Sequence, residues 1–579
     1  MVLWVTNGNN INLFIIGNNR FHQLWVNAPS VIEKGESFDL TIEAWDKYER
    51  LSSLYVDSIT IADYIYNYST KSLQVSNSSL LCGSYKFTGS GIYLNILPRS
   101  PNVDNGIHIF HDLRLEKPGI HYLLVQDDQG NSKFSNPIIV TNNTPKQRIF
   151  WGDIHGHTSM SDGSGTLEEA YTYARDIARL DFVAITDHDF IMDFWDPQSW
   201  ITEKYNANYY NSADFVTLVA FEWTSLGRYG HINVYYLGDD GPFYSCYNQY
   251  YKNPDLLFQA LKNWKISSGS DVITIPHHPS SHAQYYDFSY YNEELMPLVE
   301  VYSTHGSGEC KESQGNPKPY KVLQYGEINI DGFYIRDALE MGYHLGFMCS
   351  SDTHDGLLGH ALEHTGQNYN SKFPLAALPM FREALIQEGS LSAIITNDLT
   401  RSNIFYGLKN RTCYGTTHVN RMILNFSING HQVGTNRSLF KVPTINSINN
   451  MSFSALADYF KNFTSVEIFK NNEIFFTWNQ TGIYNSSQLL ESLEIGPVLN
   501  YTLTNKDFNF TIEGTEYSHG ITKNGQYYIT SLANKPLTGY SENSPPSTNG
   551  EVFYYLRATQ LKSGGNDMGW IGPIWIELN

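Results

Sequence analysis

Residues 151–157 have the sequence Trp-Gly-Asp-Ile-His-Gly-His, and this stretch decides the fold prediction. It predicts a strand whose two histidines, two positions apart, project from the same face. Similar apolar runs recur along residues 148–417, and helix-length segments separate them. Those runs are Phe182–Ile185, Val216–Phe221, Val272–Ile275, Leu298–Val301, Leu345–Cys349 and Ala393–Ile395. Strand–helix alternation of this kind favours an α/β region with a parallel sheet, most simply closed into a barrel.

One helix is predicted over Leu167–Arg179, because Thr166 and Glu169 have the spacing of a capping box. The flanking regions have a different pattern. Residues Phe38–Ala44 and Met422–Ile428 alternate apolar and polar side chains, as strands with one buried face do. We therefore predict three domains: a β-sandwich over residues 1–147, the barrel over 148–417 and a second β-sandwich over 418–579.

Composition excludes several classes of protein. A chain of 579 residues is too long to fold around one hydrophobic core. Its net charge of −20 argues against indiscriminate binding to nucleic acid or anionic lipid. Five scattered cysteines favour neither a disulfide framework nor a thiolate zinc site. No apolar run is long enough for a membrane-spanning helix, and the sequence offers no basic, apolar leader. A cytoplasmic protein is the default expectation, and the Asn-x-Ser/Thr sequences are interpreted as chance matches.

Polar side chains gather where the apolar runs end. The clusters are His155 and His157, Ser161-Asp162-Gly163, Asp187-His188, Glu222 with His231, His277-His278, Glu300 with His305, and Asp352 with His354. Any one of them has an ordinary structural explanation, such as a helix cap or a buried ion pair. Burying so many imidazoles and carboxylates together without cations is costly. Neutral imidazole and carboxylate oxygen suit Zn, Mn and Fe, so the sequence predicts a site for several metal ions.

The combined motifs resemble the PHP (polymerase and histidinol phosphatase) family of metal-dependent phosphoesterases. They are HGHTSMSDG (155–163), ITDHD (185–189), FEW with GH (221–231), PHHP (276–279), VEVYS (299–303) and SSDTHDG (350–356). The flanking regions resemble a branch catalogued as a domain of unknown function. The resemblance implies a central distorted (β/α)7 barrel with two or three divalent metal ions at its mouth.

The resemblance also implies the ligand set. It assigns the metal ions to His155, His157, Asp162, His188, Glu222, His231, His278, Asp352 and His354. Many members have a third histidine after the first motif, where this chain has Asp162-Gly163. The occupancy of a third metal position therefore stays open.

The implied reaction is hydrolysis of a small organic phosphate mono- or diester by a metal-bound hydroxide. Asp187 and Asp352 are candidate proton acceptors, and His305, in a glycine-rich loop, is a candidate catalytic or substrate-loop residue. Three further residues are candidate substrate contacts: Arg228, His277 and Glu300. Two alternatives stay open: the same metal centre cleaves another bond in a glycoconjugate, or the metals only stabilise a binding protein.

Overall fold

The computed structural model describes most of the chain. The described residues are 2–578 apart from 8–9, 16–19, 71, 77–80, 90–102, 191, 193–197, 226–228, 283, 322–325, 366–385, 435–438, 443–449, 460–462, 480–481, 486–487, 492–497, 505–508, 511–515, 524–525, 534–550 and 563–564.

The N-terminal region consists of strands. They are β1 (Val2–Asn7), β2 (Asn10–Ile15), β3 (Gln23–Asn27), β4 (Val31–Glu33), β5 (Phe38–Trp45), β6 (Ser58–Asn67), β7 (Ser72–Val75), β8 (Cys82–Lys86), β9 (Ile107–Leu113), β10 (Gly119–Asp127), β11 (Ser132–Phe134) and β12 (Ile138–Thr141). The alternating stretch predicted as a strand is β5, which lies between β3 and β9 in an antiparallel sheet. A second sheet is built around β10 and β6, and the two sheets share a core that includes Leu40, Ile42 and Leu123.

The middle region contains both strands and helices. Its strands are β13 (Arg148–Asp153), β14 (Phe182–Val183), β15 (Val216–Thr217), β16 (Val219–Ser225), β17 (Gly230–Tyr236), β18 (Val272–Pro276), β19 (Leu298–Ser303), β20 (Gly306–Ser307), β21 (Gly346–Cys349), β22 (Ser390–Thr396) and β23 (Cys413–Thr417). Its helices are α1 (Leu167–Asp176), α2 (Ser199–Tyr209), α3 (Pro254–Ser268), α4 (Ile335–Glu340) and α5 (Arg401–Lys409). Single 3₁₀ turns occupy Phe288–Tyr290, Glu312–Gln314 and Glu363–Thr365.

Helix α1 confirms the predicted start and its cap. The Thr166 hydroxyl accepts a hydrogen bond from the Glu169 amide, and the Glu169 carboxylate accepts one from the Thr166 amide. The helix ends at Asp176, three residues before the predicted end, and Arg179 has a positive φ of 53°. A left-handed residue cannot continue a helix, which explains the earlier end.

The C-terminal region returns to strands. They are β24 (Ile423–Ile428), β25 (His431–Gln432), β26 (Leu439–Val442), β27 (Asn450–Leu456), β28 (Phe463–Lys470), β29 (Glu473–Asn479), β30 (Gly482–Asn485), β31 (Gln488–Glu491), β32 (Val498–Thr504), β33 (Asn509–Phe510), β34 (Glu516–Lys523), β35 (Gln526–Ala533), β36 (Glu551–Lys562) and β37 (Gly565–Leu578). Asn471 and Asn472 both have positive φ and join β28 to β29 in a two-residue hairpin.

The predicted (β/α)7 barrel is wrong. The described residues contain five α-helices, too few to cover a seven-stranded barrel of that type. Strands β16, β17 and β18 form an antiparallel three-stranded sheet. Strand β23 pairs with β22 on one side and with β37 on the other, so a twelve-stranded sheet continues from the middle region into the C-terminal strands. The protein is therefore mostly β-sheet.

The error has a physical cause. Strands β16, β17 and β18 are buried along their whole length, and strands buried on both faces occur in parallel and in antiparallel sheets. The sequence therefore located most of these strands but could not give their direction. The domain boundaries at 147/148 and 417/418 stay predictions.

Strand ends gather the polar residues. Strand β13 ends at Asp153, two residues before His155, and β18 ends at Pro276, directly before His277. Glu222 lies within β16, and His188 forms a parallel bridge to it. None of the helices that the structure describes is long and apolar enough to cross a membrane.

Candidate metal centre

Glu222 is the centre of a buried group of histidines and carboxylates. Its neighbours in the strand, Phe221 and Trp223, belong to the hydrophobic core, so alternation along β16 turns Glu222 the other way. Five imidazoles surround its carboxylate. Oε1 lies 2.8 Å from Nδ1 of His231 and 3.1 Å from Nδ1 of His188, and Oε2 lies 3.0, 3.3 and 3.5 Å from Nε2 of His155, His157 and His277.

Asp352 is the second carboxylate of the group. Its Oδ1 lies 3.2 Å from Nε2 of His155 and 3.1 Å from Nε2 of His157, and its Oδ2 lies 2.9 Å from Nε2 of His305. The Asp352 backbone has a positive φ of 54°. A hydrogen bond from its amide to the His155 carbonyl, 2.8 Å long, helps to hold this unfavourable conformation.

Asp162 lies at the more open side of the group. Its Oδ1 is 3.5 Å from Nε2 of both His188 and His354. The side chain of Asp162 is 35% exposed and that of His354 is 22% exposed, whereas Glu222 is fully buried. Solution therefore reaches the group from the side of Asp162 and His354.

We call these residues the main cluster. Its members are His155, His157, Asp162, His188, Glu222, His231, His277, His278, His305, Asp352 and His354. All nine predicted metal ligands belong to it. Both histidines of the adjacent pair belong to it as well: the ring of His277 is 4.1 Å from that of His155, and the ring of His278 is 4.7 Å from that of His231.

Electrostatics favour charged carboxylates here. Burial opposes the ionisation of Glu222, but His188 and His277 hold its pKa well below the usual range. Burial likewise opposes ionisation of Asp162, and His188 with His354 lowers its pKa to about 2. Burial also lowers the pKa of His277, and the neighbouring His155 contributes, so that it is about 4. Burial opposes protonation of His155, His157 and His188, but neighbouring carboxylates raise the pKa of His155 to about 10 and also raise the pKa values of His157 and His188. Divalent metals bind anionic oxygens and neutral imidazole nitrogens, so a metal ion would displace the protons of these three rings.

Two further predicted site residues support the cluster instead of facing solution. Glu300 is 2% exposed, and its Oε2 lies 2.9 Å from Nδ1 of His155, on the opposite side of that ring from Glu222. Asp187 accepts hydrogen bonds from the Thr158 amide (2.7 Å), the Thr158 hydroxyl (2.6 Å) and the Ser161 hydroxyl. Asp187 therefore fixes the loop that carries Asp162. The remaining predicted residue, Arg228, lies outside the described residues.

The sequence missed several supporting residues. Buried Asp153 accepts hydrogen bonds from the amides of Ser351 (2.9 Å) and Gly359 (2.8 Å), and so joins the end of β13 to the loop that carries Asp352. Thr224 donates a 2.8 Å hydrogen bond to Oε1 of Glu222. Asp153 lies in the stretch 151–157, two positions before His155, so its position was a usable signal. No sequence signal pointed to Thr224.

Comparisons with known proteins identify relatives but no activity. A family model described as "Protein of unknown function (DUF3604)" matches residues 184–314, which include His188, Glu222 and His278. An uncharacterized protein of Chlamydia trachomatis is 23% identical over 569 residues, covering 97% of this chain and 75% of its own. An uncharacterized protein of Chlamydia muridarum is also 23% identical, with the same coverage. Among solved structures, beta-glucuronidase 3 of Bacteroides uniformis covers 94% of this chain and 68% of its own, at 8% identity and a TM-score of 0.16.

Proposed function

We propose that this protein is a metal-dependent hydrolase that acts on a small organic phosphate mono- or diester. The observation that carries the proposal is the overlap of possible ligand groups in the main cluster. One group is His157, Asp162, His188 and His354, and a second is His155, His157, Glu222 and Asp352. Two others are His188, Glu222 and His231, and His231, His277 and His278. Residues shared between groups are what neighbouring metal ions need, so the arrangement suits two or three divalent ions.

Unpaired atoms in the cluster support the fit to metal. Several buried polar atoms have no hydrogen-bond partner among the described residues. They are Nδ1 of His157, Oδ1 of Asp162, Nε2 of His231, both ring nitrogens of His277, Nδ1 of His278 and Oε1 of Glu300. Each unpaired buried polar atom costs about 1–3 kcal/mol. Coordination would satisfy the nitrogen and oxygen donors among them, and Zn, Mn and Fe accept such donors.

The roles of the chain's own residues follow from their positions. Neighbouring divalent ions, when bound, supply Lewis acidity that lowers the pKa of water and offsets charge on phosphoryl oxygens. Glu222 and Asp352 hold the imidazoles in a fixed arrangement, and Glu300 orients His155 through Nδ1. His305 is positioned to carry a proton, because its side chain is 11% exposed and its Nε2 contacts Oδ2 of Asp352. Asp187 is engaged by Thr158 and Ser161, and Asp352 contacts three histidines, so His305 is a better proton carrier than either carboxylate.

The motif resemblance stated above adds the substrate class, since phosphate ester hydrolysis is the reaction of that family. The test uses the full chain, stripped with a chelator and reloaded with Mn²⁺ or Zn²⁺. We expect turnover of p-nitrophenyl phosphate or its bis ester to require metal. Glu222→Gln should lose at least one metal equivalent and most of the turnover, because five imidazoles lose a shared anionic partner.

Glu203→Gln is the matched control. Glu203 is also a buried glutamate, on α2, and neither of its carboxylate oxygens has a hydrogen-bond partner in the part of the chain that the structure describes. Because no possible ligand group among the described residues includes Glu203, this variant should keep its metal and turnover. Turnover that survives complete metal removal would refute the proposal. A fully loaded protein that cleaves only glycans, or nothing in a panel of phosphate esters, would favour one of the two alternatives.

A further inference from the structure

A second group of histidines surrounds Glu49, which lies in the N-terminal region. Its Oε2 is 2.7 Å from Nε2 of His418, 3.4 Å from Nε2 of His360 and 3.5 Å from Nε2 of His364. The ligand atoms of Glu49, His360 and His418 all lie within 4.8 Å of one another. We call these four residues the second cluster. It shares no residue with the main cluster.

The second cluster is shielded from solvent. The side chains of Glu49, His360, His364 and His418 are 15, 3, 14 and 4% exposed. The ring of His360 stacks on Trp45 with 4.4 Å between centroids, and Trp45 stacks on Trp25. Stacking fixes the direction of the His360 ring. The Nδ1 atom of His364 is buried and has no hydrogen-bond partner among the residues described.

The distances from Glu49 to His360 and His364 match those between metal ligands. With Zn–N and Zn–O bonds of about 2.0–2.1 Å, two tetrahedral ligands of one zinc ion lie about 3.3 Å apart. The 3.4 and 3.5 Å separations of His360 and His364 from Glu49 are close to this value. They exceed the length of a good N–H···O hydrogen bond. His418, at 2.7 Å, forms a direct hydrogen bond that would lengthen slightly on coordination.

Outer contacts resemble those of histidine ligands. Nδ1 of His360 lies 3.5 Å from the Tyr173 hydroxyl, so its second ring nitrogen also faces a polar partner. Glu49 and His418 have positive φ values of 62° and 57°. Such conformations are costly for residues other than glycine and persist where surrounding structure holds them. In the main cluster, His278 and Asp352 also have positive φ.

We propose that Glu49, His360, His364 and His418 bind one zinc-like divalent ion in a closed, four-coordinate site. Three imidazoles and one carboxylate supply four donors, which leaves no open position for a substrate. The site would therefore be structural. It would link the turn around Glu49 to the 3₁₀ turn Glu363–Thr365 and to the residues that follow β23.

The test counts zinc in the full chain after chelation, reloading and removal of free metal. His418→Asn and Glu49→Asn are suitable variants, because asparagine tolerates positive φ and so preserves the backbone. Each should hold one zinc equivalent less than the unaltered protein. Loading with Co²⁺ should show the same loss in the visible absorption of four-coordinate cobalt.

His111→Asn is the matched control. The His111 side chain is 66% exposed, pairs with Asp39 and belongs to neither cluster, so its removal should leave the zinc count unchanged. His364→Asn alters only a 3₁₀ turn. If a variant at Glu49 or His418 fails to fold, the zinc count of His364→Asn tests the proposal in its place. Folded variants, judged by circular dichroism, that keep the full zinc count and cobalt spectrum would overturn the proposal.

Discussion

The main cluster and the second cluster use the same side chains in different proportions. In the main cluster, five imidazoles share the carboxylate of Glu222, and Asp352 contacts three histidines, two of which also contact Glu222. In the second cluster, three imidazoles share one oxygen of Glu49. The first offers more donors than one metal ion can bind, and the second offers four. The difference separates a site suited to chemistry on several ions from one suited to holding a single ion.

The two most exposed side chains of the main cluster are also more exposed to solvent than any side chain of the second cluster. Asp162 and His354 open the main cluster to solution, with side chains 35 and 22% exposed. No side chain of the second cluster exceeds 15%. A substrate needs access and a structural ion does not. The catalysis that we propose therefore falls to the main cluster and not to the second cluster.

The strongest test of this comparison is Asp352→Asn. Asparagine accepts the φ of 54°, so the change removes the charge and leaves the backbone in place. We expect turnover of p-nitrophenyl phosphate to fall about 10³-fold and one metal equivalent to be lost. Steady-state kinetics and metal analysis measure both effects. If His418→Asn reduces turnover as strongly as Asp352→Asn, the two clusters are not functionally distinct.

Another buried carboxylate, Glu309, is balanced by arginines instead of histidines. Its Oε1 accepts hydrogen bonds from Arg336 and the Tyr555 hydroxyl, both 2.8 Å long. Its Oε2 accepts them from Arg557 (2.9 Å) and the Trp570 indole (2.8 Å). Burial opposes ionisation of Glu309, but Arg557 and Arg336 lower its pKa to about 2.

This depressed pKa predicts a pH effect. The stabilisation from Glu309 is fully present above the ordinary glutamate pKa of 4.5 and is lost as pH falls towards 2. The stability advantage of the unaltered protein over Glu309→Gln should therefore shrink by on the order of 2–3 kcal/mol between those pH values. Urea unfolding midpoints at pH 7, 4.5 and 3 measure it, and chelator should not change the result. An advantage that stays constant with pH would contradict this account of Glu309.

A smaller effect, on metal affinity, is expected from changing Glu300, which contacts Nδ1 of His155. Glu300→Gln keeps an acceptor for Nδ1 of His155 but removes its charge, so metal affinity should fall about 10-fold while the number of bound ions at saturation is unchanged. Metal titration measures the affinity. Tyr173→Phe is the counterpart in the second cluster, and its 3.5 Å contact predicts a weaker effect. A loss of stoichiometry in Glu300→Gln would make Glu300 a direct ligand.

Motifs near strand ends were the most informative part of the sequence. His155, Glu222 and Asp352 come together because each follows or lies within a buried strand, and the polar clusters marked those positions. The barrel prediction was wrong because burial of both faces, as in β16 and β17, does not distinguish a parallel sheet from an antiparallel one. Pairing across the chain, such as that of β23 with β37, leaves no local signal.

The second cluster could have been found only in part. His360 and His364 are four positions apart, a spacing that places two side chains on one face of a helical turn. Glu49 and His418 have no such relation to that pair or to each other. Only the packing of the N-terminal region against the loops after β21 and β23 brings them together.

The pairing of β23 with β37 also affects how the protein is made. The Thr417 hydroxyl accepts a hydrogen bond from the Met568 amide, 151 positions later, within the sheet that also contains β13. During translation, the strand that precedes His155 and His157 emerges long before β37, so its sheet stays incomplete while most of the C-terminal region is synthesised. Such distant pairing slows folding and exposes unpaired strand edges for longer. Metal loading of the proposed centre after β37 has paired would suit a chain built in this order.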